Sequence, residues 1–281
     1  MDGTLLKTEN EIGLEDQLAI KQAVEQGVLV SITTGRVFNC AQLYANEIGL
    51  KTLIIASNGA YIGDVNGQDI YCNPLDIQDI RYFLELTSQQ GLLSYLTAKF
   101  GVISTVELPE TNIYKRLNQT LKSDEQIRLE VLEGVEEIIA HYPTDILKGV
   151  CIGEDASQLD KVKQQIKQKC PHLEVVSSWK NNFEVMRKGS SKGEAVAQLA
   201  KFYQISPDEV MCIGDSENDL SMIEFAGIGV AMGNAVDQVK ELSFVLLFLT
   251  TMWTVGVIFI NPFLTTGTLF KFRKRWGIFS G

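Results

Sequence analysis

Repeatedly along this chain, a short apolar run stops at a polar turn that contains glycine. Val28–Ile32 runs into Thr33-Thr34-Gly35-Arg36, and Leu53–Ala56 runs into Ser57-Asn58-Gly59-Ala60. Further on, Val210–Ile213 ends at Gly214-Asp215, and Ile228–Ala231 ends at Met232-Gly233-Asn234-Ala235. Segments with helical periodicity lie between the runs, at 14–26, at 38–48, and behind Ala195, Val196, Leu199, Ala200 and Tyr203. Strands that alternate with helices pair in parallel, because the helix supplies the crossover that parallel neighbours require. The expected fold class is therefore α/β, with a Rossmann-like parallel-sheet core. In such sheets, ligands bind at the carboxyl ends of the strands, where these polar turns sit.

The richest turn is Met211-Cys-Ile-Gly-Asp-Ser-Glu-Asn-Asp-Leu-Ser-Met222. Asp215, Asn218 and Asp219 follow the strand at once, and Leu220, Ile223 and Ala226 then repeat at helical spacing. Two carboxylates and an amide this close together suit a hard cation such as Mg²⁺. An acidic turn that merely caps a helix has the same composition, with Ser216 or Asp215 as the cap. Asn58-Gly59 is likewise a common turn pair as well as a possible crevice wall.

The charge balance excludes one class of partner. Formal net charge is −10, and most of the chain shows no basic face of the kind nucleic acid needs. The five cysteines are scattered without metal spacing, and the two histidines, His141 and His172, lie in polar surroundings. Reduced thiols and a cytoplasmic location are the simplest reading.

From about residue 78 to 186 the pattern changes to mixed strand and helix, which reads as an inserted α+β domain between the halves 1–77 and 187–242 of the core. In that insert, 125–142 has helical composition, interrupted by Gly134. Trp179 and Phe183 are candidates for substrate contact, with core packing the favoured reading of both. After Leu242 the composition breaks: 243–270 carries no charge, and Lys271, Arg273, Lys274 and Arg275 follow. A membrane span is possible on length, although Asn261-Pro262 interrupts the run. A re-entrant segment or a tail not native to the fold is expected instead, the latter favoured, so any membrane contact would come through 243–270.

Taken in order, Asp2-Gly3-Thr4, Thr34-Gly35-Arg36, Ser191-Lys192-Gly193 and Gly214-Asp215 with Asn218-Asp219 resemble the haloacid dehalogenase superfamily of phosphohydrolases. Ser57-Asn58-Gly59-Ala60 and Met232-Gly233-Asn234-Ala235 narrow the resemblance to its Cof-type sugar-phosphatase branch. The resemblance covers about residues 1–242. It implies a Mg²⁺-dependent phosphatase of small phosphorylated metabolites working through an aspartyl-phosphate, with the insert as a cap over the site. Asp2, Asp215 and Asp219 would form the metal set, with the Asp2 backbone carbonyl as one ligand. Asp2 would also be the general acid, for which a raised pKa is needed. Thr34 and Lys192 would hold the transferring phosphoryl oxygens, and Asp219 would orient Lys192. Gly35, Asn58, Gly59 and Asn218 would line the substrate side.

The family pattern Asp-x-Asp-Gly-Thr puts its nucleophilic Asp one position before Met1. The strand that carries that Asp, central in the family's sheet, is also expected to be missing. Two other functions therefore stand beside the phosphatase. One is an inactive module that binds phosphate ligands, and the other is a membrane-attached protein whose tail is the working part.

Overall fold

The computed structural model describes residues 1–8, 11–247 and 257–260. Its central sheet runs in the order Val245–Leu246, Ile228–Ala231, Val210–Gly214, Val257–Ile260, Leu29–Ile32. The first three strands pair in parallel. A parallel bridge from Thr33 to Ile55 then carries the layer on to Ile54–Ala56, which turns back through Tyr61–Gly63 and Asp69–Cys72 as an antiparallel meander. Helices Leu14–Glu25, Phe38–Glu47 and Lys192–Phe202 supply the crossovers and cover the sheet. Ile20, Val30, Ile32 and Ala41 are buried on one side, and Val196, Leu199, Val210 and Cys212 on the other. The α/β class expected from the alternating pattern is the fold observed.

Part of the tail pairs with the core: Val257–Ile260 lies between Val210–Gly214 and Leu29–Ile32, antiparallel to both. Val245–Leu246 also extends the sheet past residue 242. The physical reason is the open slot. Without a strand between Leu29–Ile32 and Val210–Gly214, two rows of backbone N–H and C=O groups would face each other unpaired. An uncharged β-branched segment fills that slot by pairing both edges at once. The rest of the membrane reading falls on 248–256 and 261–281, outside the described residues. Among the described residues, no helix is long and apolar enough to cross a membrane.

A second sheet has the order Leu173–Val176, Asn182–Arg187, Lys148–Ile152, Leu93–Ala98, Gly101–Ser104, Arg128–Val131. Its strands are antiparallel except for the last pair. The 125–142 segment is not one helix. Arg128–Val131 is the edge strand, and Gly134 precedes a separate helix, Val135–His141. Period-two alternation sorts this sheet into two faces. Leu96, Cys151, Phe183 and Val185 pack with Ile80, Phe83, Val162 and Ile166 of the helices behind it. Leu93, Tyr95, Lys148, Ile152, Asn182 and Glu184 point the other way and line a cavity above the strand ends of the central sheet.

A chain ended after Leu247 tests the position of Val257–Ile260. Amide exchange at Leu29–Ile32 and Val210–Ile213 should quicken by about tenfold or more, because one neighbour of each strand is gone. Unchanged exchange there would mean that the two strands do not depend on Val257–Ile260.

Candidate functional site

The polar turns converge because all sit at the same edge of the sheet. Asp215 ends the Val210–Gly214 strand, and the Ser216–Asp219 turn leads into the helix Leu220–Phe225. Asp219 is the centre of this turn. Its Oδ2 accepts the backbone N–H of Asp215 at 2.9 Å and of Ser216 at 3.1 Å, while Oδ1 takes Lys192 Nζ at 2.5 Å. Burial alone would raise the Asp219 pKa, but Lys192, the N-terminal amine and the Asp215 backbone N–H together hold the carboxyl below its ordinary range. Both Asp219 oxygens are thus committed, so the structure places this residue as the partner of Lys192 and of the turn's own backbone.

Asp215 stands differently. Thr4 Oγ1 donates to its Oδ1 at 2.5 Å, and Ser216 Oγ donates to its Oδ2 at 2.8 Å. Burial, and then the Asp219 charge, push its pKa up. A buried carboxylate in that state is relieved by a cation. Gly3 lets the Asp2-Gly3-Thr4 turn close on it: at φ +70°, a Cβ on Gly3 would run into the Asp215 carboxylate. Nearby, Asn218 Oδ1 is a buried acceptor that has no hydrogen-bond partner among the described residues. These oxygens fit a small hard cation. No cluster of three or more His, Cys, Asp and Glu side chains occurs among the described residues, so protein carboxylates alone would not fill its coordination.

The N-terminal turn meets Thr34-Gly35-Arg36 here. Arg36 is buried, and its Nε donates to Asp2 Oδ1 and Oδ2 at 3.1 and 3.0 Å, with Nη2 closing the fork. Burial raises the Asp2 pKa and the Arg36 charge lowers it, and the net result lies below the ordinary carboxylate range. The raised pKa implied for a general acid is therefore absent in this arrangement. Arg36 is thus an ion-pair partner of Asp2. Thr34 is buried, and its Oγ1 accepts the Arg36 backbone N–H at 3.1 Å.

Asn58-Gly59 is more than an ordinary turn pair. Ser57, Asn58 and Gly59 all have positive φ, at 49°, 55° and 95°. Two of these are not glycine, a backbone cost that folds carry where something else fixes the side chain. That something is a buried chain of hydrogen bonds. Asn218 Nδ2 donates to Asn58 Oδ1 at 3.0 Å, and Asn58 Nδ2 donates to Glu184 Oε2. Glu184 Oε1 pairs with Lys148 Nζ at 2.9 Å, and Lys148 reaches the Gly35 carbonyl at 2.6 Å. Lys148 and Glu184 belong to the second sheet, so this chain ties the two sheets together. Sequence reasoning passed over both residues. Each is a charge on an otherwise apolar strand, Lys148 before Gly149-Val150-Cys151-Ile152 and Glu184 between Phe183 and Val185. That was the available signal.

Trp179 also differs from its favoured reading. Phe183 is core, edge-on to Phe83, whereas Trp179 is 65% exposed and lines the cavity. That cavity measures about 750 Å³ and runs from Asp2, Lys192 and Asp215 up to the second sheet.

A family model for haloacid dehalogenase-like hydrolases matches residues 1–246. The chain belongs to that family. Over 267 residues it is 31% identical to the 5-amino-6-(5-phospho-D-ribitylamino)uracil phosphatase YwtE of Bacillus subtilis, covering 86% of this chain and 89% of that one. It is 26% identical to the pyridoxal phosphate phosphatase YbhA of Escherichia coli, over 85% of this chain and 88% of that one. Among solved structures, a haloacid dehalogenase-like hydrolase from B. subtilis superposes with a TM-score of 0.76 at 26% identity, covering 87% of this chain and 92% of that chain. These matches make the chain a hydrolase of phosphoric monoesters.

The Lys148–Glu184 pair yields a stability prediction. Glu184→Ala strands a buried ammonium and should cost about 3–5 kcal/mol, whereas Glu184→Ala with Lys148→Met should recover much of that loss. Thermal unfolding of the two single variants and the double variant measures the coupling. Strictly additive losses would show that the two charges do not support each other.

Proposed function

We propose that this chain is a Mg²⁺-dependent phosphatase of small phosphorylated metabolites, with its site at the junction of Asp2, Thr34, Lys192 and Asp215. The observation that carries the reading is the pairing of Lys192 with Asp219 next to a second buried carboxylate, Asp215, whose two oxygens are already aimed by Thr4 and Ser216. Bound at Asp215 and the Asp2 carbonyl, Mg²⁺ would supply charge neutralisation for the phosphate and its attacking group. Asp219 serves first as the group that orients Lys192, since Lys192 holds its Oδ1 and two backbone N–H groups share its Oδ2. Lys192 then offers a fixed ammonium to the phosphoryl oxygens, beside the Thr34 hydroxyl and the Asn218 amide. Gly35 and Gly59 keep the crevice open to substrate, and Asn58 holds Asn218 in place. As a carboxylate, Asp2 is set up to accept a proton from water; to deliver one to a leaving group it must first be released by Arg36.

The second sheet, within 78–186, acts in this reading as a cap that closes the cavity and meets the leaving group. The relatives named above act on substrates that join a phosphate to a uracil or a pyridine ring, and small metabolites of that size suit a cavity of about 750 Å³.

The tests use the family pattern. A protein carrying about eight added residues, an apolar strand that ends in Asp directly before Met1, should hydrolyse a generic phosphomonoester when Mg²⁺ is present. The same extension ending in Asn, and a polypeptide of residues 1–281 alone, should fall below it by on the order of 10⁶ in turnover. Equal rates from all three would place the nucleophile elsewhere. Within the Asp-extended protein, Asp215→Asn should abolish the Mg²⁺ stimulation, and retained stimulation would remove Asp215 from the metal site. Lys192→Ala should lower kcat by about 10²-fold or more. A change confined to KM would make Lys192 a binding residue only.

A second reading, a phosphate-binding module without turnover, is favoured by one observation, the grip of Arg36 on Asp2. Phosphate binding without hydrolysis by the Asp-extended protein would select it.

A further inference from the structure

Among the described residues, Trp179 is the one large apolar side chain of the second sheet's loops that is both exposed and turned to the cavity. An indole at 65% exposure forgoes the burial that normally holds it, which makes its placement a matter to be explained. The loop is not loose. Asn182 Oδ1 accepts the backbone N–H groups of Ser178 and Trp179 at 3.2 and 3.0 Å, and Asn182 Nδ2 returns a bond to Ser178 Oγ at 2.9 Å. The loop is also anchored towards the reacting end of the site. Lys163 Nζ donates to Ser177 Oγ at 2.9 Å and lies 3.6 Å from Glu217, two residues from Asp215. The loop backbone is therefore tied down, and Trp179 lines the cavity from it.

Leu93, Tyr95, Pro109 and Ile152 line the same cavity as Trp179, together with polar groups that include Asn112, Arg116, Asn181 and Asn182. Aromatic faces favour the face of another planar ring, while an amide serves a polar edge. A bare sugar phosphate offers the indole no planar face to stack on.

We propose that Trp179 determines substrate choice, selecting phosphomonoesters whose leaving group carries a planar heterocycle by stacking its indole on that ring. This rests on the phosphatase reading of the site and adds to it the part that reads the leaving group. Neither composition nor motif spacing pointed to this residue over Phe183; its exposure and the pinned loop do.

The test compares two ligands that differ in the ring. Uridine 5′-monophosphate and ribose 5-phosphate are titrated calorimetrically into the protein in the presence of Mg²⁺, each in competition with inorganic phosphate. The protein should bind the uridine ligand about tenfold more tightly, the increment expected of one well-formed aromatic stack. Trp179→Phe should keep most of that ratio, and Trp179→Ala should bring it close to one. A ratio, unlike a single affinity, is not moved by a general loosening of the site. A ratio near one in the unaltered protein, or a tenfold ratio that survives Trp179→Ala, overturns the inference and leaves the phosphatase reading intact. If neither ligand competes with inorganic phosphate, the reading of the phosphate site fails and the inference fails with it.

Discussion

The arrangement depends on one buried ion pair. Lys192 and Asp219 each expose only 5% of their side chains, and neither charge could stay there without the other. The pair does more than neutralise itself. Through its second oxygen, Asp219 fixes the backbone N–H groups of Asp215 and Ser216, so the same carboxylate that orients the lysine also sets the direction of the next one. Gly193 beside Lys192 contributes the close approach: its N–H meets Ser221 Oγ at 3.0 Å, and a Cβ there would strike the Ser221 backbone. The helix that begins at Lys192 and the turn that begins at Asp215 are thereby locked at the strand ends. A cation at a helix start opposes the helix dipole, and the Asp219 carboxylate offsets that cost by pairing with the ammonium directly.

That logic explains which parts of the molecule could be read in advance. Thr34, Lys192, Asp215 and Asp219 come from turns directly after strands or at helix starts, where local spacing fixes position, and Asp2 was placed beside them by its Asp-Gly-Thr motif. Lys148 and Glu184 were invisible for the opposite reason. Their partnership arises from an antiparallel register that sets Val150 opposite Glu184 across segments far apart in the chain, and no short-range period encodes it. The Arg128–Val131 strand was hidden because Arg128 and Glu130 give an edge strand the composition of a solvated helix. The Val257–Ile260 strand lies in an uncharged run that has no periodicity to separate strand from span.

The two sheets meet through unlike chemistry. On the side away from the cavity, the second sheet packs by ordinary apolar burial, with Phe83 and Phe183 edge to face. On the cavity side, its approach to the central sheet runs through Lys148, Glu184 and Asn58, groups whose desolvation is repaid only when all are satisfied together. Such a contact holds one alignment and penalises small displacements. The positive φ values at Ser57 and Asn58 belong to the same device, since the strained turn is what presents Asn58 to Glu184 from one side and to Asn218 from the other.

The slot occupied by Val257–Ile260 connects the far end of the chain to this site. The strand is antiparallel, so it can satisfy the neighbouring ladders, yet it runs opposite to the strands whose carboxyl ends carry Thr34 and Asp215. A parallel strand in the same slot would end at the functional edge and could present a side chain there. An antiparallel one brings its amino end to that edge instead, with Val257 opposite Ile32 and Ile260 opposite Leu29. Pairing of the sheet constrains only the backbone, so a strand of either direction that bonds to both neighbours meets that requirement.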